Sequence, residues 1–296
     1  MTPVLPPPAR PGDRVGIAAL SGPVDPDRLA AGVAELSRLG FLPVLARNLT
    51  SSFSLFAGFD ADRVAAFHEL ADDPSLAAIF FARGGHGLLP ILPLLDWSRL
   101  AAIPRAYVGY SDVTPFLLNV VERLGTVAFH GPMVAVEFAR GLSDEEIESL
   151  LSALAGEPQR ELPLTQVISG GGESRGPLLG GCLSLISGVA GTPFATALHD
   201  AVLFLEDVGE PLYRVDRMLT QLDLSGSLTS VRALVLGASM LSVLDEKAAM
   251  LIRQRMGNRT VAFGLPAGHS TPNLTLPLGC TARIDATGAR LVIESR

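Results

Sequence analysis

The sequence predicts a mixed α/β protein: a mostly parallel sheet with helices on both faces in the first half, and a smaller α+β domain in the second. Three observations predict it. Apolar strand-like runs alternate with amphipathic helical stretches through the first 155 residues. A stretch rich in Gly, Pro, Ser and Glu follows at 156–176, with Gly170, Gly171 and Gly172 inside it, and reads as an inter-domain linker. Beyond it, at 177–296, the texture changes to shorter strands with frequent turns. No repeat at a fixed period is present.

The elements follow in order. Residues 14–20 form a short apolar strand after the Pro11-Gly12-Asp13 turn. A helix is predicted over 25–40, opened by a capping Asp25, carried by Leu29, Val33 and Leu36, and closed by Gly40. A strand at 41–46, a helix at 60–71 and a buried strand at 76–81 come next. Pro90 and Pro93 break the apolar run 88–95, so any helix there is short or bent. Strands are predicted at 106–109 and 126–129, and a helix at 113–123 with apolar spacing through Phe116, Leu117, Val120 and Val121. A helix at 143–154 closes the first half. In the second half, helices are predicted at 183–189, 213–222 and 247–256, strands at 201–206 and 233–236, and further short strands from Thr260 on.

Composition narrows the function. Hydrophobic residues make up 48% and charged residues 18%, enough apolar surface for a sizeable core. The net charge of −7, with no local Lys/Arg cluster, argues against nucleic-acid binding. Cys182 and Cys280 are too few for a disulfide framework and form no C-x-x-C pair. The first ten residues lack the pattern of a signal peptide, and no apolar run reaches the roughly 20 residues of a membrane span. A soluble, cytoplasmic protein without membrane contact is the expectation.

The chemistry concentrates at predicted strand ends, where α/β sheets place their sites. Ser111 follows the strand 106–109 at a strand-to-helix corner, where a hydroxyl is exposed near the positive end of a helix. The same serine could simply cap that helix, and the second glycine of the G-x-S-x-G elbow is missing. Gly84 and Gly85 follow the strand 76–81; paired glycines let backbone N–H groups face an anion, as in an oxyanion hole, or form a plain turn. Glu206 and Asp207 end an apolar strand, and His269 lies in a Gly/Pro loop after another. A serine, a carboxylate and a histidine are the parts of a nucleophile, a base and the group that orients the base.

These stretches together resemble the LD-carboxypeptidase family of serine peptidases, which includes muramoyl-tetrapeptide carboxypeptidases and microcin C immunity hydrolases. The matching residues are Pro11-Gly12-Asp13, Phe56-Ala57-Gly58, Ala82 to Gly85, Gly109 to Asp112, His130 to Met133, Gly180-Gly181, Leu205 to Asp207 with Glu210 to Arg217, and Gly268 to Ser270. They span nearly the whole chain in the family's order. The resemblance implies a flavodoxin-like N-terminal domain joined to a smaller C-terminal one, and a triad of Ser111, Glu206 and His269. It also implies an oxyanion hole from the backbone of Gly85 and Asp112. It implies hydrolysis of the amide to a terminal D-amino acid in a small peptide or muropeptide, a homodimer, and no cofactor or metal. The chain departs from the family pattern at His86, where a tyrosine is usual, and at Pro90, near where an arginine often stands.

Arg83 and His86 are candidate substrate contacts; loop ordering for Arg83 and space filling for His86 are the competing readings. His130 reads as structural, and His68 as a surface or flanking residue of its helix. His199 and Asp200 lack metal-ligand spacing. Glu210 and Arg214, four apart on the predicted helix, suggest an ion pair, and Asp216 and Arg217 structural or dimer contacts. The rival activity is hydrolysis of peptidyl- or aminoacyl-nucleotides, which needs an aromatic shelf. A non-catalytic ligand-binding protein is a third reading.

Overall fold

Neighbouring parallel strands need long crossovers, and the first half of the chain supplies a helix after nearly every strand. The computed structural model describes residues 3–157, 160–169, 174–240 and 245–294. The chain divides into two units, Met1–Gly156 with Leu274–Pro277, and Glu157–Asn273 with Leu278–Arg296.

The first unit runs β1 (Arg14–Ala18), α1 (Pro26–Arg38), β2 (Leu42–Leu45), α2 (Asp60–Ala71), β3 (Leu76–Phe81), α3 (Leu88–Ile91), α4 (Trp97–Ala101), β4 (Ala106–Gly109), α5 (Thr114–Asn119), β5 (Ala128–His130) and α6 (Asp144–Leu154). The second supplies β6 (Arg160–Pro163), β7 (Gln166–Ser169), β8 (Arg175–Cys182), α7 (Leu183–Val189), β9 (Val202–Glu206), α8 (Leu212–Leu224), β10 (Ala233–Gly237), α9 (Glu246–Met256) and β11 (Thr260–Leu265). The chain then gives β12 (Leu276–Leu278) to the first sheet before β13 (Thr281–Asp285) and β14 (Arg290–Ile293).

The first sheet has the order β12-β5-β4-β3-β1-β2. Strands β2, β1, β3, β4 and β5 pair in parallel, with Ile17 opposite Phe80 and Val108 opposite Phe129. This is the flavodoxin-like order, whose switch point lies between β1 and β3. Local chemistry sets the helix starts. The Asp25 carboxylate accepts from the Arg28 N–H at 2.9 Å, and Ser143 and Glu146 form a capping box at α6. Phe116 on α5 is fully buried, with ring centroids of Phe67, Phe81, Tyr107 and Trp97 between 5.1 and 5.7 Å away. That cluster pins the helix behind Ser111 to the sheet. As the prolines imply, residues 88–95 form only α3 and one 3₁₀ turn, Leu92–Leu94.

The second sheet has the order β6-β14-β13-β8-β9-β10-β11-β7. Its centre, β8 to β11, is parallel, and its flanks are antiparallel. Two of its strands correct the linker expected at 156–176. Residues 160–163 and 166–169 are β6 and β7, held by β14 and β11. Their short runs carry too little periodicity to be read from sequence. The glycines 170–172 lie outside the described residues. Among the described residues no helix is long and apolar enough to cross a membrane.

Candidate active site

The corner at Ser111 is backbone-strained. Its φ is +63°, in the left-handed region, which costs a residue with a Cβ about 1–2 kcal/mol. Ser111 opens a 3₁₀ turn, Ser111–Val113, ahead of α5, and neither the turn nor the helix has a side-chain cap bond. The capping reading of this serine is thereby corrected: its half-buried hydroxyl does not satisfy the helix end. Asp112 is buried, and its carboxylate accepts from the Leu88 N–H at 2.9 Å. That bond ties the Ser111 corner to the start of α3.

The glycine loop after β3 packs against this corner. A Cβ on Gly84 would lie 2.9 Å from both Cβ and Oγ of Ser111, so only glycine fits. Gly85 has φ +105° and is exposed. The Gly22 N–H donates to the Gly84 carbonyl at 3.2 Å, and Arg83 Nη1 donates to the Pro23 carbonyl at 2.9 Å. These bonds cross the β1/β3 switch point, and through Arg83 they tie the segment after β1 to the glycine loop. His86 is exposed, and its ring stacks on Phe56 at 5.8 Å.

Arg63 is a residue that sequence reading missed. Its buried guanidinium donates to the carbonyls of Leu20 and Gly87, the latter at 2.7 Å, and lies 5.1 Å from the Phe56 ring. The signal was its position on the face of α2 that also carries Phe67 and Leu70. His68 is corrected as well. It is buried, and its Nε2 accepts from the Asp96 N–H at 3.2 Å. Burial, helped by the Arg99 charge, holds its pKa below the usual histidine value.

The second unit carries the carboxylate and the imidazole at the carboxyl ends of its parallel strands. Glu206 ends β9 and is fully buried. Its Oε2 lies 2.7 Å from His269 Nδ1 and accepts from the His269 backbone N–H at 3.1 Å. One oxygen thus fixes both the ring and the main chain of the histidine. Close packing makes this possible: Gly268 has φ +88°, and a Cβ there would lie 2.4 Å from Glu206 Oε2. Asn273, also missed from sequence, is buried and accepts from the Gly268 N–H at 2.8 Å. The neighbouring acid does something else. Asp207 accepts from the Ser184 N–H at 2.9 Å, at the start of α7.

The remaining expected residues fall into structural roles. His130 is buried, 5.6 Å from the Tyr110 ring. His199 Nδ1 lies 2.9 Å from Ser230 Oγ, and Asp200 pairs with Arg232. Among the described residues no group of three or more His, Cys, Asp or Glu side chains could hold a metal ion. Glu210 precedes α8 rather than lying on it, yet still sits 3.6 Å from Arg214. Asp216 pairs with Arg255 at 3.0 Å, linking α8 to α9, and Arg217 lies over the Tyr213 ring. Burial, with the charges of Glu206 and Asp207, pushes the Cys182 thiol far up, which leaves it unreactive.

Two family models match the chain: the LD-carboxypeptidase N-terminal domain over residues 15–131 and the LD-carboxypeptidase C-terminal domain over residues 175–284. A carboxypeptidase homologue of Streptomyces coelicolor is 38% identical over 305 residues, covering 97% of this chain and 96% of its own. The murein tetrapeptide carboxypeptidase of Pseudomonas aeruginosa is 34% identical over 301 residues, covering 94% of each. Among solved structures, an inactive mutant of the microcin C7 self-immunity protein MccF superposes with a TM-score of 0.90 at 25% identity, over 99% of each chain. With both domain models matched in order and relatives aligned end to end, this chain belongs to the LD-carboxypeptidase family of serine peptidases.

Proposed function

We propose that the protein removes the terminal D-amino acid from murein tetrapeptides, using Ser111, His269 and Glu206 as one proton-relaying unit. The observation that carries the reading is the bond between buried Glu206 and His269. The carboxylate engages Nδ1, which fixes the tautomer that presents Nε2 as the base. Ser111 Oγ attacks the amide carbonyl carbon while Nε2 takes the hydroxyl proton. The tetrahedral oxyanion is held by the backbone N–H groups of Gly85 and Asp112, donors fixed in place before the charge develops. The carbon–nitrogen bond then breaks, and the imidazolium gives its proton to the departing D-amino acid. Water, deprotonated by the same nitrogen, attacks the acyl carbon; the bond to Ser111 Oγ breaks, and the imidazolium returns the proton to that oxygen. Supporting the nucleophile are its uncapped hydroxyl, its strained backbone and the glycine packed against it. Supporting the substrate is the 34% identical murein tetrapeptide carboxypeptidase.

A second reading, hydrolysis of peptidyl- or aminoacyl-nucleotides, draws on the likeness to MccF and on one local feature. Phe53 and Phe59 are exposed with ring centroids 4.2 Å apart, and His86 stacks on Phe56. Together these residues offer flat surface to a base. Incubating the protein with a murein tetrapeptide and, separately, with an aminoacyl-sulfamoyl nucleoside separates the readings by mass spectrometry. Release of D-alanine from the first, with the second left intact, is the expected result. The reverse pattern would overturn it in favour of the second reading.

A further inference from the structure

A left-handed serine persists only where its neighbours over-determine the backbone. On one side of Ser111 the anchor is the Asp112 carboxylate, bound to the Leu88 N–H. On the other side stands Tyr110, a residue only 3% exposed, in extended conformation with φ −156° and ψ −167°. Its phenol O–H donates to Glu137 Oε1 at 2.8 Å. Glu137 is itself 4% exposed, and its second oxygen, Oε2, accepts from the Met133 N–H at 2.9 Å.

A buried carboxylate is costly, and two apolar side chains would fill the same space without that cost. Here both oxygens are engaged, each by a different loop. The Met133 N–H belongs to the segment after β5, and Tyr110 to the end of β4. Two residues before Glu137, the Ala135 N–H donates to the Ala82 carbonyl at 2.8 Å, at the start of the glycine loop after β3. One short turn, Val134–Phe138, therefore links the ends of three adjacent strands, and its carboxylate grips the residue immediately before Ser111. Burial raises the Glu137 pKa and the two donated bonds oppose that rise.

We propose that Glu137, acting through Tyr110, is a positioning residue that holds the Ser111 corner in its attacking geometry. This rests on the reading of Ser111 as nucleophile. Misplacing a nucleophile lowers the rate of chemistry without weakening substrate binding. A brace that served only the fold would change unfolding and leave turnover by the folded protein untouched.

The experiment measures kcat and KM for D-alanine release from a murein tetrapeptide by the full chain, its Tyr110→Phe, Glu137→Gln and double variants, and Ser111→Ala. Circular dichroism confirms folding at the assay temperature. The expected result is a kcat about 10- to 100-fold lower in each single variant, with KM within about twofold. The double variant should be no slower than the slower single one, because both changes break one linkage. Wild-type kcat in folded Tyr110→Phe, a loss expressed in KM alone, or multiplying losses in the double variant would overturn the proposal. Should Glu137→Gln fail to fold, Tyr110→Phe, which removes a single oxygen, decides it. If the unaltered chain released no D-alanine, or Ser111→Ala released it equally fast, the hydrolase reading would fall and the positioning role with it. The Tyr110 and Glu137 arms fail separately from those two controls.

Discussion

At Gly268 one added methyl group strikes the site directly. A Cβ there meets the Glu206 oxygen that orients His269, at a φ that L-residues rarely adopt. Gly268→Ala should lower kcat/KM on a murein tetrapeptide at least 100-fold, on the scale of losing an oriented catalytic donor. Unchanged kcat/KM would show that the Glu206–His269 geometry does not serve catalysis. At this scale the sequence exposed residues whose type and location coincide: Ser111, Glu206 and His269 all stand where an apolar run stops. It did not expose residues whose role depends on what packs over them. Arg63 and His68 look like ordinary polar positions on α2 and become buried only when α4 and the glycine loop cover them. Asn273 needs the turn at Gly268 to find its partner.

Among the elements, α5 follows the Ser111 corner and is only six residues long, too short to be stable alone. Packing of Phe116 into its aromatic cage must supply what propensity does not. Phe116→Ala should destabilise the protein by about 3–5 kcal/mol, measured as a shift in the urea midpoint with unchanged slope. A loss under 1 kcal/mol would mean that the helix is held elsewhere. By contrast Ser143→Ala, which removes the capping box of α6, should cost about 1 kcal/mol. Strands and helices with clear periodicity, such as α1, β3 and β9, were legible from apolar spacing and caps. The four-residue strands β6 and β7 were not, since their place is set by pairing with β14 and β11 rather than by their own pattern. β12 was equally hidden, because three residues give no hint that the chain returns to the first sheet.

For the whole molecule, stability should depend on pH through His68. Its folded-state pKa is depressed, so the unfolded chain binds the proton more readily than the native protein does. Stability from this group is therefore complete above the ordinary histidine pKa of about 6.5 and is lost as pH falls below it. The buried Glu137, with a raised pKa, contributes with opposite sign, losing stability as pH rises from the ordinary glutamate range. Comparing urea unfolding of the unaltered protein and His68→Gln between pH 7.5 and 5.5 isolates the histidine. The unaltered protein should lose more stability over that interval; equal losses would contradict the assignment. The flavodoxin-like strand order was implied by the family resemblance, and it brings the ends of β1, β3 and β4, with Gly22, Gly84 and Ser111, to one edge of the first sheet. The most direct measurement is mass spectrometry of a murein tetrapeptide after incubation with the full chain and with Ser111→Ala. The account predicts loss of one D-alanine with the first and a rate at least about 10³-fold lower with the folded variant. Equal release by both would contradict it.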